Sequence, residues 1–340
     1  MSDVSTHELN ATAIAVLQAA LTSGEDLGIA TTTIAGATVI DCGVDAPGSD
    51  AAGLLMARIA MAGLGEVTLE PVESVRLFPK PCGDQHSDDS DVWKRPVVSV
   101  TSRAPVAACL ASQYAGWKVS VDGYFAMASG PIRAAIGKEE LFEHIGLRER
   151  PQAVIGLLEA PALPTAAVIH SLAEAAGVPP EQMTLLVAPT ASPAGTLQVV
   201  ARSLETALHK LETLGFDLAL VTAGRGRAPL PPVPDDDLTA IGRTNDAILY
   251  GSHVILELTA DEPLLDAVGA AMTSSSSPDH GKSFASLFEE AGGDFYAIDP
   301  VIFAPAVVDL FNAATGDCLR FGQIEVDIVR KSFGLETGEA

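Results

Sequence analysis

Residues 154–258 constrain the fold more than any other stretch, because short apolar runs alternate there with segments of helical pattern. Val154–Leu158, Thr184–Ala188, Leu218–Val221 and His253–Leu258 read as buried strands. Ala166–Ala176, Thr196–Leu214 and Asp237–Tyr250, which lie between them, carry apolar residues at helical spacing. Strands alternating with helices of this length give an α/β layer in which each helix lays its apolar stripe on a sheet. A hydrophobic content of 48% is ample for that core.

The flanking regions read less regularly. Helices are expected at residues 7–23, 50–62 and 105–114, and strands at 37–42, 65–71, 97–101 and 117–121. Residues 80–95, rich in Pro, Gly and Asp, read as an exposed loop. In the tail, a helix is expected at Ser283–Ala291, another through Val307–Phe311, and a strand at Gly322–Val329. The run Ser274–Ser277 reads as a mobile loop. The tail shares the texture of the first third. This predicts a discontinuous first α/β domain of residues 1–150 plus 290–334, a second α/β domain of residues 151–289, and a disordered tail at 335–340.

Charge and cysteine usage exclude several function classes. A net charge of −24 repels phosphate backbones and anionic lipid surfaces, so neither nucleic acid nor membrane is an expected partner. An anionic substrate would have to meet a local group of arginines. The four cysteines are far apart and form no CxxC pair, which reads as a reduced, cytoplasmic protein. No basic segment followed by an apolar run opens the sequence, so no signal peptide is expected. Cys82 and His86 fall short of the three protein ligands a catalytic zinc needs, and no metal site is expected. HExxH, GxSxG and GxGxxG are all missing.

Four segments carry candidate chemistry. In the helix expected over 196–214, Gln198, Arg202, Glu205 and His209 form one narrow stripe, with Leu197, Val200, Leu204, Leu208 and Leu211 roughly opposite. The i,i+3 spacing puts the Arg202 guanidinium beside the Glu205 carboxylate. Taken alone, this pattern describes a solvated face with a weak ion pair. The segment Ala223-Gly-Arg-Gly-Arg-Ala-Pro reads as a loop in which Arg225 and Arg227 could hold a carboxylate or phosphate, or as a plain basic turn. Arg243, Asn245 and Asp246 crowd polar groups into an otherwise apolar helix, so their face is either solvated or lines a site. Ser112, Gln113 and Tyr114, with Ser129, Gly130 and Arg133, combine small and polar residues around a sharp Gly-Pro turn.

Taken together and in order, these segments resemble one family. Ala37-Thr-Val-Ile-Asp-Cys-Gly, Ala111-Ser-Gln-Tyr-Ala-Gly-Trp, Ser129-Gly-Pro, Val200-Ala-Arg-Ser-Leu-Glu-Thr-Ala-Leu-His-Lys-Leu, Gly242-Arg-Thr-Asn-Asp-Ala-Ile-Leu-Tyr-Gly, Asp294-Phe-Tyr-Ala-Ile-Asp-Pro and Ser332-Phe-Gly look like methenyltetrahydromethanopterin cyclohydrolase, from about residue 35 to residue 334. The resemblance implies a cytoplasmic homotrimer of two-domain α/β subunits with a substrate cleft between the domains. It implies a hydrolase of one-carbon metabolism, in methanogenesis or formaldehyde oxidation, that opens N5,N10-methenyltetrahydromethanopterin to the N5-formyl compound without metal or other cofactor. It places the catalytic pair on Arg202 and Glu205. The substrate contacts it suggests are Ser112, Gln113, Tyr114, Ser129, Gly130, Arg133, Arg225, Arg227, Arg243, Asn245 and Asp246. Ala297, Ala304 and Ser252 depart from the family pattern, where Lys, Ser and Gly are expected. The alternatives are a non-catalytic pterin or anion binder of the same fold, and a cyclohydrolase for a folate-type carrier.

Overall fold

The computed structural model describes residues 8–71 and 95–335. The loop expected at 80–95, with Cys82 and His86, falls almost entirely outside the described residues, as does nearly all of the 335–340 tail. The strands in chain order are β1 (Ala30–Ile34), β2 (Ala37–Asp41), β3 (Gly65–Glu70), β4 (Val97–Ser102), β5 (Trp117–Val121), β6 (Tyr124–Ser129), β7 (Val154–Glu159), β8 (Met183–Ala188), β9 (Val221–Pro229), β10 (His253–Leu258), β11 (Val307–Asn312) and β12 (Cys318–Gly322). The α-helices are α1 (Leu9–Thr22), α2 (Asp50–Ala60), α3 (Ile132–Ile136), α4 (Leu141–Ile145), α5 (Ala166–Ala176), α6 (Pro193–Val200), α7 (Ser203–Thr213), α8 (Asp237–Leu249), α9 (Glu262–Gly269), α10 (Phe284–Glu290) and α11 (Val326–Phe333). No helix among the described residues is long and apolar enough to cross a membrane.

The chain divides into two compact units. The first holds residues 1–66 and 106–198, and the second holds 67–105 and 199–340. The first is built on a mixed sheet in the order β1-β2-β8-β7-β6-β5. Its centre, β2-β8-β7, is parallel, and its flanking strands pair antiparallel. Parallel strands are buried on both faces, which accounts for the continuous apolar runs of β7 and β8. One face packs Val39, Leu185 and Leu158 against α5, and the other packs Ile40, Leu186 and Ile155 against α1 and α2.

The second unit is built on a sheet in the order β12-β11-β10-β9-β4-β3. Here β10 and β11 pair parallel, while β9 with β10, β11 with β12 and β4 with β9 pair antiparallel. One face is apolar, with Val98, Val100, Val254, Leu256, Val308 and Leu310 all buried. Its other face carries Ser99, Arg225, Arg227, His253, Asp309 and Arg320 in register. Burial tends to raise the Asp309 carboxyl, but bonds from Arg320 and His253 outweigh it and hold the group at about 2.

The two α/β sheets agree with the expected fold class, but their membership cuts across the expected domains. The tail strand β11 pairs with β10 rather than returning to the first third. Strands β7 and β8, expected in the second domain, pair with β2 and β6. Strand pairing is non-local, so similar texture along the chain did not identify the partner. Val307–Phe311, expected to be helical, lies in the strand β11, where the β-branched Val307 and Val308 suit a pleated surface. The strand expected at 322–329 is instead the end of β12 followed by α11, which closes at Gly334 with φ +68°. Ser274–Ser276 is a tight 3-10 turn with Ser274 buried, its hydroxyl donating to the Leu249 carbonyl at 2.5 Å.

Candidate functional site

The helix expected over 196–214 is broken. Helix α6 ends at Val200 and α7 begins at Ser203, with Arg202 as the N-terminal cap at φ −90°, ψ 6°. The four-residue stripe therefore does not run along one helix. Gln198 lies in α6, Arg202 in the break, and Glu205 and His209 on one face of α7. The helical pattern alone puts these groups in solvent. The structure buries Gln198, Arg202 and Glu205, with Arg202 and Glu205 at 9% and 6% exposure. Glu205 is the third residue of α7, where the helix dipole favours a carboxylate by about 0.3–1 kcal/mol. The apolar side matches expectation, since Leu197, Val200, Leu204, Leu208 and Leu211 are fully buried.

What brings α7 so close to its sheet is the glycine pair of β9. A Cβ on Gly226 would lie 2.4 Å from Ser203 Oγ and 2.8 Å from Leu204 N. On Gly224 it would lie 2.6 Å from Leu204 Cδ1. The segment expected to be a ligand loop is thus a strand, and its glycines make room for the start of α7. Side chains alternate along a strand, so Arg225 and Arg227 point to the face opposite α7. Arg225 is exposed, and Arg227 Nη2 donates to Glu70 Oε2 at 2.5 Å. Glu70 also accepts from the Ser99 hydroxyl.

The polar groups of α8 bond within the second unit. Arg243 donates from Nε to the Ser332 carbonyl at 3.2 Å and from Nη1 to the Pro232 carbonyl at 3.0 Å. Asn245 Nδ2 donates to the Ile241 carbonyl of its own helix at 2.9 Å. Asp246, 1% exposed, accepts the Phe284 N–H at 2.8 Å. Desolvation pushes its carboxyl up to about 6, against the opposing bonds from Ser332 and Phe284. Arg243 and Asp246 thereby fasten α11 and α10 to α8.

In the first unit the structure gathers Ser112, Tyr114, Gly130 and Arg133 around the end of a π-helix at Val106–Gln113. Arg133, 1% exposed, donates to the carbonyls of Leu110 and Ser112 at 2.8 and 3.4 Å and pairs with Glu139 at 2.8 Å. Its guanidinium lies over the rings of Tyr114 and Phe142, with centroids at 5.0 and 5.3 Å. The Ser112 hydroxyl donates to the Ala60 carbonyl at 2.5 Å, and its carbonyl accepts the Gly130 N–H at 2.8 Å. Gly130 needs its φ of +93° there, and a Cβ would meet Leu157 Cδ1 at 3.0 Å. Gln113 and Ser129 are buried in the same unit. π-helical turns recur at functional sites, and this one is capped by an arginine.

Sequence reasoning passed over Glu159 and Thr190. Glu159 ends β7, where it accepts from Thr190 Oγ1 at 2.5 Å and from Gln198 Nε2 at 3.3 Å. The available signal was an acidic residue closing an apolar strand run, since open α/β sheets bind ligands beyond the carboxyl ends of their strands. Cys42 is a poor fit for a nucleophile, because it is buried and desolvation pushes its thiol up to about 12.

The sequence profile of the family described as Cyclohydrolase (MCH) matches residues 8–333. A methenyltetrahydromethanopterin cyclohydrolase of Rhodopirellula baltica is 44% identical over 308 residues, covering 89% of this chain and 88% of the relative. One from Methylobacterium sp. (strain 4-46) is 41% identical over 330 residues, covering 96% and 97%. One from Methanococcoides burtonii is 35% identical over 332 residues, covering 96% and 98%.

Proposed function

The chain belongs to the cyclohydrolase (MCH) family, and we propose that it hydrolyses N5,N10-methenyltetrahydromethanopterin reversibly to the N5-formyl compound with Glu205 as general base. The observation that carries this reading is the burial of Arg202 and Glu205 together at the start of α7. A buried carboxylate three residues from a buried guanidinium is costly as decoration and useful for chemistry.

The residues suit the reaction. The methenyl carbon is part of an amidinium, so it is already electrophilic. It needs a placed water and a base. Glu205 takes one proton as the water oxygen bonds to that carbon, giving a neutral hydroxymethylene intermediate. It then hands that proton to N10 as the bond from carbon to N10 breaks. The hydroxyl loses its proton as the formyl C=O forms, so one proton is released per turnover and the charge balances. Arg202 orients the carboxylate and favours its charged form. General base catalysis of this kind is worth roughly 10²–10⁴-fold.

The test is direct. Purified protein is mixed with methenyltetrahydromethanopterin and, separately, with methenyltetrahydrofolate, and the methenyl absorbance is followed. Rapid loss with the first substrate and slow loss with the second is the expected result. Binding of the first without loss of absorbance makes the protein a non-catalytic pterin binder. Faster loss with the folate compound reassigns the carrier.

A further inference from the structure

Residues 229–234 of the second unit read Pro-Leu-Pro-Pro-Val-Pro. Proline fixes φ and has no N–H to give, so this segment is stiff and offers mainly carbonyls. It leaves β9 at Pro229, and the Leu230 N–H donates to the Pro96 carbonyl at 2.9 Å, which carries the pairing with β4 one residue further. Two arginines use its carbonyls. Arg95 Nε donates to Leu230 at 3.4 Å, and Arg243 Nη1 donates to Pro232 at 3.0 Å. Arg243 also reaches the Ser332 carbonyl, in the last turn of α11, through Nε. All three acceptors are neutral, and among the described residues neither half-buried guanidinium forms an ion pair. The two charges oppose each other: burial pushes Arg95 below its ordinary value, and the Arg243 charge adds to that push. Asp236, the cap of α8, also feels Arg243. Thr239 occupies both oxygens of that carboxylate, at 2.8 and 2.7 Å, and these bonds, with a smaller pull from Arg243, hold it low.

We propose that Arg95 and Arg243 form a binding site for a phosphoryl group, presented by the proline segment. Two like charges fixed near each other on neutral acceptors are costly unless an anion joins them. A guanidinium has five N–H donors. Arg95 commits one of them and Arg243 two, so each keeps donors for an oxyanion. Their planar forks match the paired oxygens of phosphate or carboxylate. The doubled charge selects between these, because a dianion offsets both arginines and a monocarboxylate only one. The chain as a whole carries −24 and repels anions, so affinity here has to be local. A group bound to both arginines joins the start of β4 to α8 and, through Ser332, to α11. The site is independent of the reaction assigned above.

The experiment is isothermal titration calorimetry of the full-length protein with inorganic phosphate at constant ionic strength, repeated with glycerol phosphate and with acetate. Phosphate should bind at one saturable site, and acetate should bind more weakly by about tenfold or more. Arg95→Gln should weaken phosphate by about 10–100-fold, as expected for losing charged hydrogen bonds. Arg243→Gln should do the same, but it also releases Pro232 and Ser332. Arg95→Gln gives up a single long bond, so it carries the test should the Arg243 variant not fold. Arg225→Gln removes the same charge from an exposed position on β9 and should leave the affinity within about twofold, since screened surface charges act weakly. Glycerol phosphate binding as well as inorganic phosphate makes the ligand a phosphate ester, and a clear preference for the inorganic ion makes it free phosphate; both support the site. Phosphate that does not saturate, an unchanged affinity in Arg95→Gln, an equal loss in Arg225→Gln, or acetate as tight as phosphate each overturns the proposal.

Discussion

Residues 198–205 and residues 223–229 look alike as sequence, since each sets arginine among small residues beside an α/β strand, yet the structure treats them in opposite ways. The first breaks a helix and buries Arg202 and Glu205 at the start of α7. The second is a strand whose glycines face α7 and whose arginines face away. Glycines next to arginines suggest a ligand loop when only the chain is read. Here Gly224 and Gly226 serve the approach of α7, and the arginines follow from alternation. The difference teaches that what a glycine makes room for, a ligand or a helix, is settled by the element packed against it.

The largest effect that would sharpen this contrast comes from filling the glycine that seats α7. Gly226→Val would drive side-chain atoms into Ser203 and the Leu204 backbone. Overpacking of that kind costs about 3 kcal/mol or more where backbone must move. Urea unfolding should show the loss, and turnover should fall with it because Glu205 shifts. Wild-type stability and turnover in this variant would mean that α7 is not held by β9.

Next in size is Asp246. Its folded carboxyl sits at about 6 against an ordinary 3.8, so the folded state holds that proton more tightly than the unfolded chain. Stability from this group is therefore present at low pH and is lost as pH rises between about 4 and 6, by roughly 2–3 kcal/mol in all. Asp246→Asn should flatten that part of the stability curve measured by chemical unfolding from pH 4 to 7. An unchanged slope would show that another group titrates there. The same variant keeps an oxygen for the Phe284 N–H, so a large rise in KM would return Asp246 to the substrate.

The smallest expected effects are on β9 itself. Arg225→Ala and Arg227→Ala should leave KM within about threefold, the scale of a contact that binds no substrate charge. A rise above about tenfold in either would break the comparison and restore the strand as a binding element.

Much of the architecture was legible in the chain. The runs 154–158, 184–188 and 253–258 are strands in the structure, and the helices at 166–176 and 237–250 fall where the periodicity puts them. Three kinds of feature were not legible. Val307–Phe311 is a short apolar run, which strand and helix share, and its partner β10 lies about 50 residues away. The break at Arg202 interrupts a pattern that continues smoothly through it, so a single helix fits the sequence equally well. The split into units depends on which strands pair, and β8 joins β2 across more than 100 residues and carries β7 with it. For the site, the i,i+3 spacing of Arg202 and Glu205 was plain, but their burial was not. Periodicity placed them opposite the leucines and hence in solvent, whereas both sides of this segment are covered. Glu159 was missed because a lone acid at a strand end acquires meaning only once Thr190 and Gln198 are seen to hold it.

The central claim is that Glu205 is the base, and single-turnover kinetics on Glu205→Gln with a parallel binding measurement tests it most directly. Removal of the base should slow loss of the methenyl absorbance by about 10²–10⁴-fold while the Kd for substrate stays close to wild type. A folded Glu205→Gln protein that turns over at near the wild-type rate would contradict the account.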